Sequence, residues 1–453
     1  MPSTARRSTS LLLVAASAAG ALALAACTSS GADASGPQTA IATTDKHEPT
    51  TITVWTFNHL PQEVKAFEGA LARLHTTYPW LTVKFVPNKD DAAFGKAVAA
   101  GQAPDVFVSP SPDNVAKFCY NGTVAPLDEY LKAAKVDVAA TFPPSALVYT
   151  KFQDKQCALP LLVDAYGLFY NKKMLADAGV NPPKTLSELT AAAKKLTVKN
   201  KDGSIKRFGF ISRSDYNNNS ALYDGVQAGT QYYDARGKAT FGADPRWAQL
   251  MQWDKDLNDW YGNGQVSKFV AKFQPHTDDA KNPLITGDVA MEVDGEWHVG
   301  EIADAKTDLD YGVVPVPVLD EVKQTYGAGS AVGTVAYLPA GSKHKQEAFF
   351  ALQQLTTDTA FLTGLADTVY NIPSTFDSLK AWDKKDDEHW GPLVEIFANK
   401  GSYYKQLTPV GSEDATVWGT ARQQFETGHA TDLGKLLDET AGKIDKLNQD
   451  AVE

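Results

Sequence analysis

The chain has 453 residues, 43% hydrophobic and 21% charged, with a formal net charge of −11. That length buries a large core and favours two or three domains over one. The acidic balance, without a long basic run, denies nucleic acid the cationic face it needs and sets that class of partner aside.

The N-terminus reads as an export signal. Arg6 and Arg7 precede an apolar run from Leu11 to Ala26 that is too short to span a bilayer comfortably. The run ends in Leu24-Ala25-Ala26-Cys27, the pattern of a bacterial lipobox. Residues 1–26 are therefore expected to be a lipoprotein signal peptide, and Cys27 the lipidated first residue of the mature protein. No later stretch reaches about 18 consecutive apolar residues, so this lipid is the expected membrane attachment, on the outer face of the cell membrane. Residues 27–49 are Ser, Thr, Ala, Gly and Asp with little to bury, a flexible tether of roughly 25 Å reach.

Two further cysteines, Cys119 and Cys157, are expected to pair, because an exported protein folds where disulfides persist. No His or Cys stands at metal-ligand spacing beside either.

From Thr51 the pattern alternates strands and helices. Thr51–Phe57 is β-branched and aromatic, a strand. Pro61 opens a helix with Val64, Phe67, Leu71 and Leu74 on one face. Leu81, Val83 and Phe85 alternate as a strand, Phe94–Ala100 is a short helix stopped by Gly101, and Asp105–Val108 is a third strand. A βαβαβ order implies a mostly parallel sheet covered by helices. The pattern resumes after residue 160. Thr185 and Glu188 form a capping box, Val289, Met291 and Val293 alternate, and Tyr311–Val318 carries Pro315 and Pro317, which places it at an edge or a crossover rather than mid-sheet. Beyond Glu347 the pattern is mainly helical. The expected fold class is α/β with two lobes and helical additions.

Enzyme signatures fail on spacing. Gly327, Gly329 and Gly333 give G-x-G-x-x-x-G rather than a dinucleotide fingerprint, and no P-loop, G-x-S-x-G or H-E-x-x-H occurs. His276 with Asp278 and Asp279, and Asp386–His389, read as polar loops rather than metal sites, and no metal or cofactor is expected. Asp164, Asp294 and Glu296 are carboxylates that could pair as in a glycosidase, but 54 acidic residues make such pairs common by chance. Trp55, Trp297 and Trp418 stand beside polar or Gly neighbours. An aromatic plate with nearby carboxylate or amide groups is the complement of a sugar's C–H face and hydroxyl rim.

The chain resembles the family 1 extracellular solute-binding proteins of ABC importers, the group that includes maltose-binding protein. The resemblance is carried by Ile52–Phe57, Gly101–Phe107, Leu159–Asp164, Leu168–Leu175, Pro182–Leu189, Gly287–Trp297 and Tyr311–Pro317. It implies two discontinuous α/β lobes joined by crossover strands, with a ligand cleft that closes by hinge motion. The expected division is 50–163 with 295–353 in one lobe, and 164–294 with 354–453 in the other. The crossings are expected near Leu161–Asp164, near Val293 and around Phe350–Leu355. It further implies cleft positions: Asn58 and His59 after the first strand, Ser109 and Ser111 after the third, and Asp164 as the acidic crossover residue. Trp297 and Trp418 match stacking aromatics, Gly329 and Ser330 a turn near ligand, and Tyr370 and Asn371 a segment lining the cleft.

Asn58-His59 stands where the maltose binder has an acidic-basic pair, and Ser109-Pro110-Ser111-Pro112 where it has an aromatic and charged residues, so maltose itself is not implied. The expected function is monomeric capture of a di- or oligosaccharide, without chemistry, for delivery to a membrane permease. A binder of another solute (polyamine, phosphodiester) or an exported glycan hydrolase remains open, since fold does not settle ligand. An anionic solute would call on Arg213, Arg236 or Arg246.

Overall fold

The computed structural model describes residues 47–216, 223–273 and 281–453. The leader, Cys27 and most of the 27–49 tether lie outside the described residues, as do His276, Asp278 and Asp279.

The first strand, β1 (Thr50–Thr56), buries Ile52, Val54 and Thr56 on one face and leaves Trp55 half-buried on the other. It pairs in parallel with β2 (Leu81–Val86) and β3 (Val106–Ser109). The helix Pro61–Thr77 covers this layer with Phe67, Ala70, Leu71 and Leu74, the helical spacing of the sequence. Asp90 caps the helix Asp91–Ala99 by accepting from Ala93 N–H, and Gly101 supplies the left-handed turn after it.

The organising element is a 13-residue strand, β4 (Leu159–Asn171). Four more strands, β5 (Met291–Gly295), β6 (Tyr311–Pro315), β7 (Ala331–Tyr337) and β8 (Ile372–Pro373), all contribute to the same sheet. Its spine runs β6–β4–β7–β3–β1–β2, with β5 and β8 also pairing β4. Residues Leu159–Ala165 of β4 lie against β7 and, at Leu162 and Val163, against β8. Tyr166–Asn171 lie instead between β5 and β6. One strand thus belongs to two lobes.

Only the β1 pairings are parallel in this sheet, where a mostly parallel one was expected. The reason is the crossing itself: β7 and β8 return from elsewhere in the chain and run antiparallel to β4. β5 near Val293 stays with the second half of β4, and the return to the first sheet is made by β7. The helices Lys345–Thr357 and Thr359–Val369 pack on the helix Pro61–Thr77, and β8 follows them to pair with Leu162 and Val163 of β4. Strand β6 pairs only with β4, an edge that tolerates Pro315.

At Thr185 the capping box is half formed. Thr185 Oγ1 accepts from Glu188 N–H at 3.3 Å, while Glu188 Oε2 accepts from Lys184 N–H at 2.8 Å, one residue early. Among the described residues no helix is long and apolar enough to cross a membrane.

Cys119 and Cys157 form the expected disulfide, with Cα atoms 5.8 Å apart and a separation of 38 residues. It ties the helix Asn114–Tyr120 to the approach of β4. Loop-closure entropy for a ring of this length gives about 4 kcal/mol. Urea unfolding of a Cys119→Ser, Cys157→Ser variant is expected to show a loss of that order, and an unchanged midpoint would mean that the reduced chain is already constrained.

Candidate functional site

The site grows from the place where β4 changes partners. On the side where β8 ends and β5 begins, the N–H of Ala165 falls in the gap and has no strand to pair with. The carboxylate of Glu296 fills it, Oε2 accepting from Ala165 N–H at 2.8 Å. Beside it, Asp164 Oδ1 accepts from Asn371 Nδ2 at 2.9 Å. The Glu296 carboxyl lies close enough to Asp164 for the two to influence each other's ionisation. Burial pushes both carboxyls up, and the neighbouring Asp164 charge raises Glu296 further. Two buried carboxyls this near one another resist being ionised together.

Aromatic groups cluster next to this pair, with Tyr166 near enough to feel both carboxyls. Trp297, half-buried at the start of the helix Trp297–Asp304, meets Tyr166 edge-on with centroids 5.6 Å apart. The indole crosses so close to Gly295 that a Cβ there would fall 2.3 Å from it, which is why the turn needs glycine. Tyr166 in turn touches Tyr223 at 6.0 Å. Ser330, one residue before the Ala331–Ala165 pair, is buried with no partner for its hydroxyl among the described residues. The phenol of Tyr149 is likewise buried and unpartnered, close enough to Asp164 and Glu296 to feel their charge. Unpartnered buried hydroxyls are costly unless a solute or water meets them.

The other expected positions sit at the carboxyl ends of β1 and β3. Asn58 Oδ1 accepts from Thr56 Oγ1 at 2.8 Å, whereas His59 is exposed. Ser109 is buried and donates to Asp91 Oδ1 at 2.9 Å, and Ser111 N–H donates to Ser109 Oγ at 3.0 Å. Ser109 therefore shapes its loop with a hydroxyl already engaged. Gly329 donates its N–H to Ser402 Oγ at 2.8 Å.

Two expected positions are not at this cluster. Trp418 is fully buried between Phe241 and Trp247, and its Nε1 donates to Asp224 Oδ2 at 2.7 Å. Arg422, four residues on, donates to the same carboxylate at 2.8 Å. The W-x-x-x-R spacing puts both side chains on one helix face aimed at Asp224, so Trp418 is a core residue rather than a plate. Tyr370 adopts a left-handed conformation with its ring over Gly300, and its hydroxyl donates to Asp304 Oδ2 at 2.6 Å. It faces the helix Trp297–Asp304 while its neighbour Asn371 reaches Asp164. Glu296 and Tyr149 escaped assignment as binding groups, since nothing in the spacing marks a cap between residues 131 positions apart.

Behind the site lies a second polar cluster. Glu292, Asp294 and His298 are buried with donor atoms within 4.8 Å of one another. Both imidazole nitrogens face carboxylates: Nε2 to Glu292 Oε1 at 3.2 Å, Nδ1 to Glu301 Oε2 at 2.7 Å and to Asp294 Oδ2 at 3.7 Å. Glu292 also accepts from Tyr216 at 3.0 Å. That arrangement suits an imidazolium with two N–H donors better than a metal ligand, which needs a free nitrogen. Burial lowers the affinity of His298 for its proton, but Asp294, Glu292 and Glu301 together outweigh it and bring its pKa to about 10.

Two α/β lobes sharing a strand, with carboxyl, amide, hydroxyl and indole groups gathered where that strand changes lobes, define a hinged binding protein. A family model for bacterial extracellular solute-binding proteins matches residues 60–360, and the chain belongs to that family. The maltotriose-binding protein of Pyrococcus abyssi is 24% identical over 370 residues, which is 81% of this chain and 75% of that one. A maltooligosaccharide ABC transporter solute-binding lipoprotein of Streptococcus pneumoniae is 25% identical over 341 residues, 72% of this chain and 71% of its own. The structure of CpMnBP1 with mannotriose bound superimposes with a TM-score of 0.74 at 26% identity, covering 87% of this chain and 99% of that one. The sugar-binding protein MalE of Xanthomonas citri shares the fold, with a TM-score of 0.73 at 18% identity over 88% of this chain and 98% of that chain.

His298 gives a pH prediction. Its folded pKa of about 10 lies above the ordinary 6.5, so its contribution is complete below 6.5 and is lost as pH rises towards 10. Across that window the slope is at most about 1.4 kcal/mol per pH unit. Thermal unfolding from pH 6.5 to 10 is expected to fall less steeply in His298→Gln than in the native chain. Parallel curves would show that His298 is not charged in the fold.

Proposed function

We propose that the protein is the lipid-anchored solute-binding component of an ABC importer, and that it holds a neutral oligosaccharide between its lobes. The observation that carries this reading is the constellation at the strand crossing. Asp164 and Asn371 offer in-plane acceptor and donor groups, Tyr149 and Ser330 offer unpartnered hydroxyls, and Trp297 offers an indole for the apolar face of a sugar ring. Relatives that match more than two thirds of this chain carry maltotriose or maltooligosaccharides in their names, and CpMnBP1 was solved with mannotriose.

On this reading residues 50–164 with 331–382 form one lobe, and 165–330 with 383–453 the other. Asn58, His59, Ser109, Ser111 and Gly329 are proposed to border the cleft. Cys27 carries the lipid, residues 27–49 hold the lobes clear of the membrane, and the monomer delivers its sugar to the permease. No chemistry is assigned to the site. The Glu296 carboxyl is enclosed and committed to Ala165, which leaves it badly placed to act on a glycosidic bond. An anionic solute finds less support than a sugar, because Arg213, Arg236 and Arg246 are each bonded to a neighbouring aspartate: Asp215, Asp234 and Asp244.

The test is a thermal-shift screen of mono-, di- and oligosaccharides on the chain from Ser29, confirmed by calorimetry. A sugar at 100 times its dissociation constant adds about 2.7 kcal/mol of stability. One sugar bound tightly and recovered intact supports the reading. No shift with any sugar points to another solute class, and a cleaved sugar points to a hydrolase. With the best sugar, Asp164→Ala is expected to weaken binding by about 1.5–3 kcal/mol, the range for a charge-assisted hydrogen bond. Trp297→Ala is expected to cost a similar amount while the fold persists. Unaltered affinity in either variant removes that residue from the site.

A further inference from the structure

A buried ion pair joins the two lobes at a distance from the Asp164 cluster. Asp113 belongs to the first lobe, in the loop after β3. The adjacent Asn114 Nδ2 donates to Asp91 at 3.0 Å, which fixes that loop to the helix Asp91–Ala99. Lys405 belongs to the second lobe. The neighbouring Tyr403 hydroxyl donates to Thr230 O at 2.6 Å, and Lys405 Nζ reaches Asp414 Oδ1 at 2.8 Å. Across the gap, the same Nζ lies 2.9 Å from Asp113 Oδ1. Tyr404 donates its hydroxyl to that oxygen at 2.7 Å, and its ring meets Tyr149 of the first lobe edge-on.

The charges are arranged asymmetrically. Asp414 is fully enclosed, accepts from Tyr233 at 2.7 Å and from Ala415 N–H at 2.6 Å, and lies in the same lobe as Lys405. Within its own lobe Lys405 is already neutralised. Asp113 is the second carboxylate, supplied only by the opposite lobe. With the lobes apart, water solvates it. In this structure its side chain is 15% exposed and that of Lys405 6%. There it takes two donors on one oxygen, an ammonium and a phenol. A contact that exists only in the closed state shifts the closing equilibrium, and ligand affinity with it, without touching the ligand. By contrast, the peripheral pair Lys117–Glu413, at 3.7 Å and half exposed on both sides, contributes little.

We propose that Asp113, Lys405 and Tyr404 form an interlobe clasp that sets how tightly and how long the protein holds its solute, acting as positioning residues rather than as solute contacts. The proposal rests on the lobe division given above. It needs no particular sugar, because the clasp biases closure in the empty protein as well.

The experiment places spin labels on the mature chain at Glu68→Cys in the first lobe and Lys201→Cys in the second, and measures their separation by pulsed electron resonance. It does so for the native background, Asp113→Asn, Lys405→Met and the double variant, without solute and with maltotriose. Both single variants are expected to move the solute-free distribution to longer separations. Dissociation of bound trisaccharide is expected to quicken by about tenfold or more, as for truncation of a buried charge pair at an interface. The double variant is expected to be little worse than the worse single one, because the residues act together. Solute-free distributions that match the native one in both variants overturn the clasp. So does a loss of affinity at unchanged separation, which assigns these residues to direct solute contact. Should Lys405→Met fail to fold, with Asp414 left buried and unpaired, Asp113→Asn decides alone. If maltotriose does not bind at all, the sugar reading suffers while the solute-free distances still judge the clasp.

Discussion

The N–H of Ala165 is where the architecture is decided. A strand shared by two lobes must exchange one set of neighbours for another, and at the exchange its backbone groups lose their ladder. Leaving a buried amide unpaired costs on the order of 1–3 kcal/mol. Glu296 meets that need from the end of β5, and the carboxyl that does so lies against Asp164. The same side chain therefore closes a gap in the sheet and shapes the polar floor of the site. Trp297 follows it directly in sequence, so the position of the indole is set by the cap before it. The candidate site proposed here thus shares its carboxyl with the closure of the sheet at the crossing.

The second lobe is held by buried charge as much as by apolar packing. Arg422 reaches Asp224 and Asp254, and His298 is caged by Glu292, Asp294 and Glu301. Burying such groups is expensive, and they repay it only when each donor and acceptor is met. Here the matching is incomplete: among the described residues Asp254 Oδ1, Glu292 Oε1, His298 Nε2 and Arg422 Nε lack a well-formed hydrogen bond, so these clusters rest on close charge pairing more than on full satisfaction. Glu292 and Asp294 lie in β5 and His298 in the helix that begins with Trp297, so the cage joins these two elements.

Much of the fold could be read from local pattern. The strand at Thr51–Phe57, the helix after Pro61 and the cap at Thr185 follow from alternation, helical spacing and N-terminal chemistry, which depend on near neighbours alone. The family resemblance runs through the segments that carry Asp164 and Trp297, and the structure sets Asn371 against Asp164. The crossings were harder. β5 reads as a strand in either lobe, and only its pairing with Tyr166–Tyr170 shows that the chain has not yet returned. Trp418 misled for a related reason: W-x-x-x-R puts both groups on one helix face whether that face meets a sugar or Asp224. Tyr149 carries no local mark at all, and its place emerges from packing against β7 and the carboxyl pair.

The most direct test of this account is a crystal structure with the sugar that stabilises the protein most. The account predicts the sugar between the lobes, a hydroxyl within hydrogen-bond distance of Asp164, and a ring face against Trp297. A sugar seated elsewhere, or a closed cleft in which Asp164 keeps only Asn371 and Glu296 for company, would contradict it.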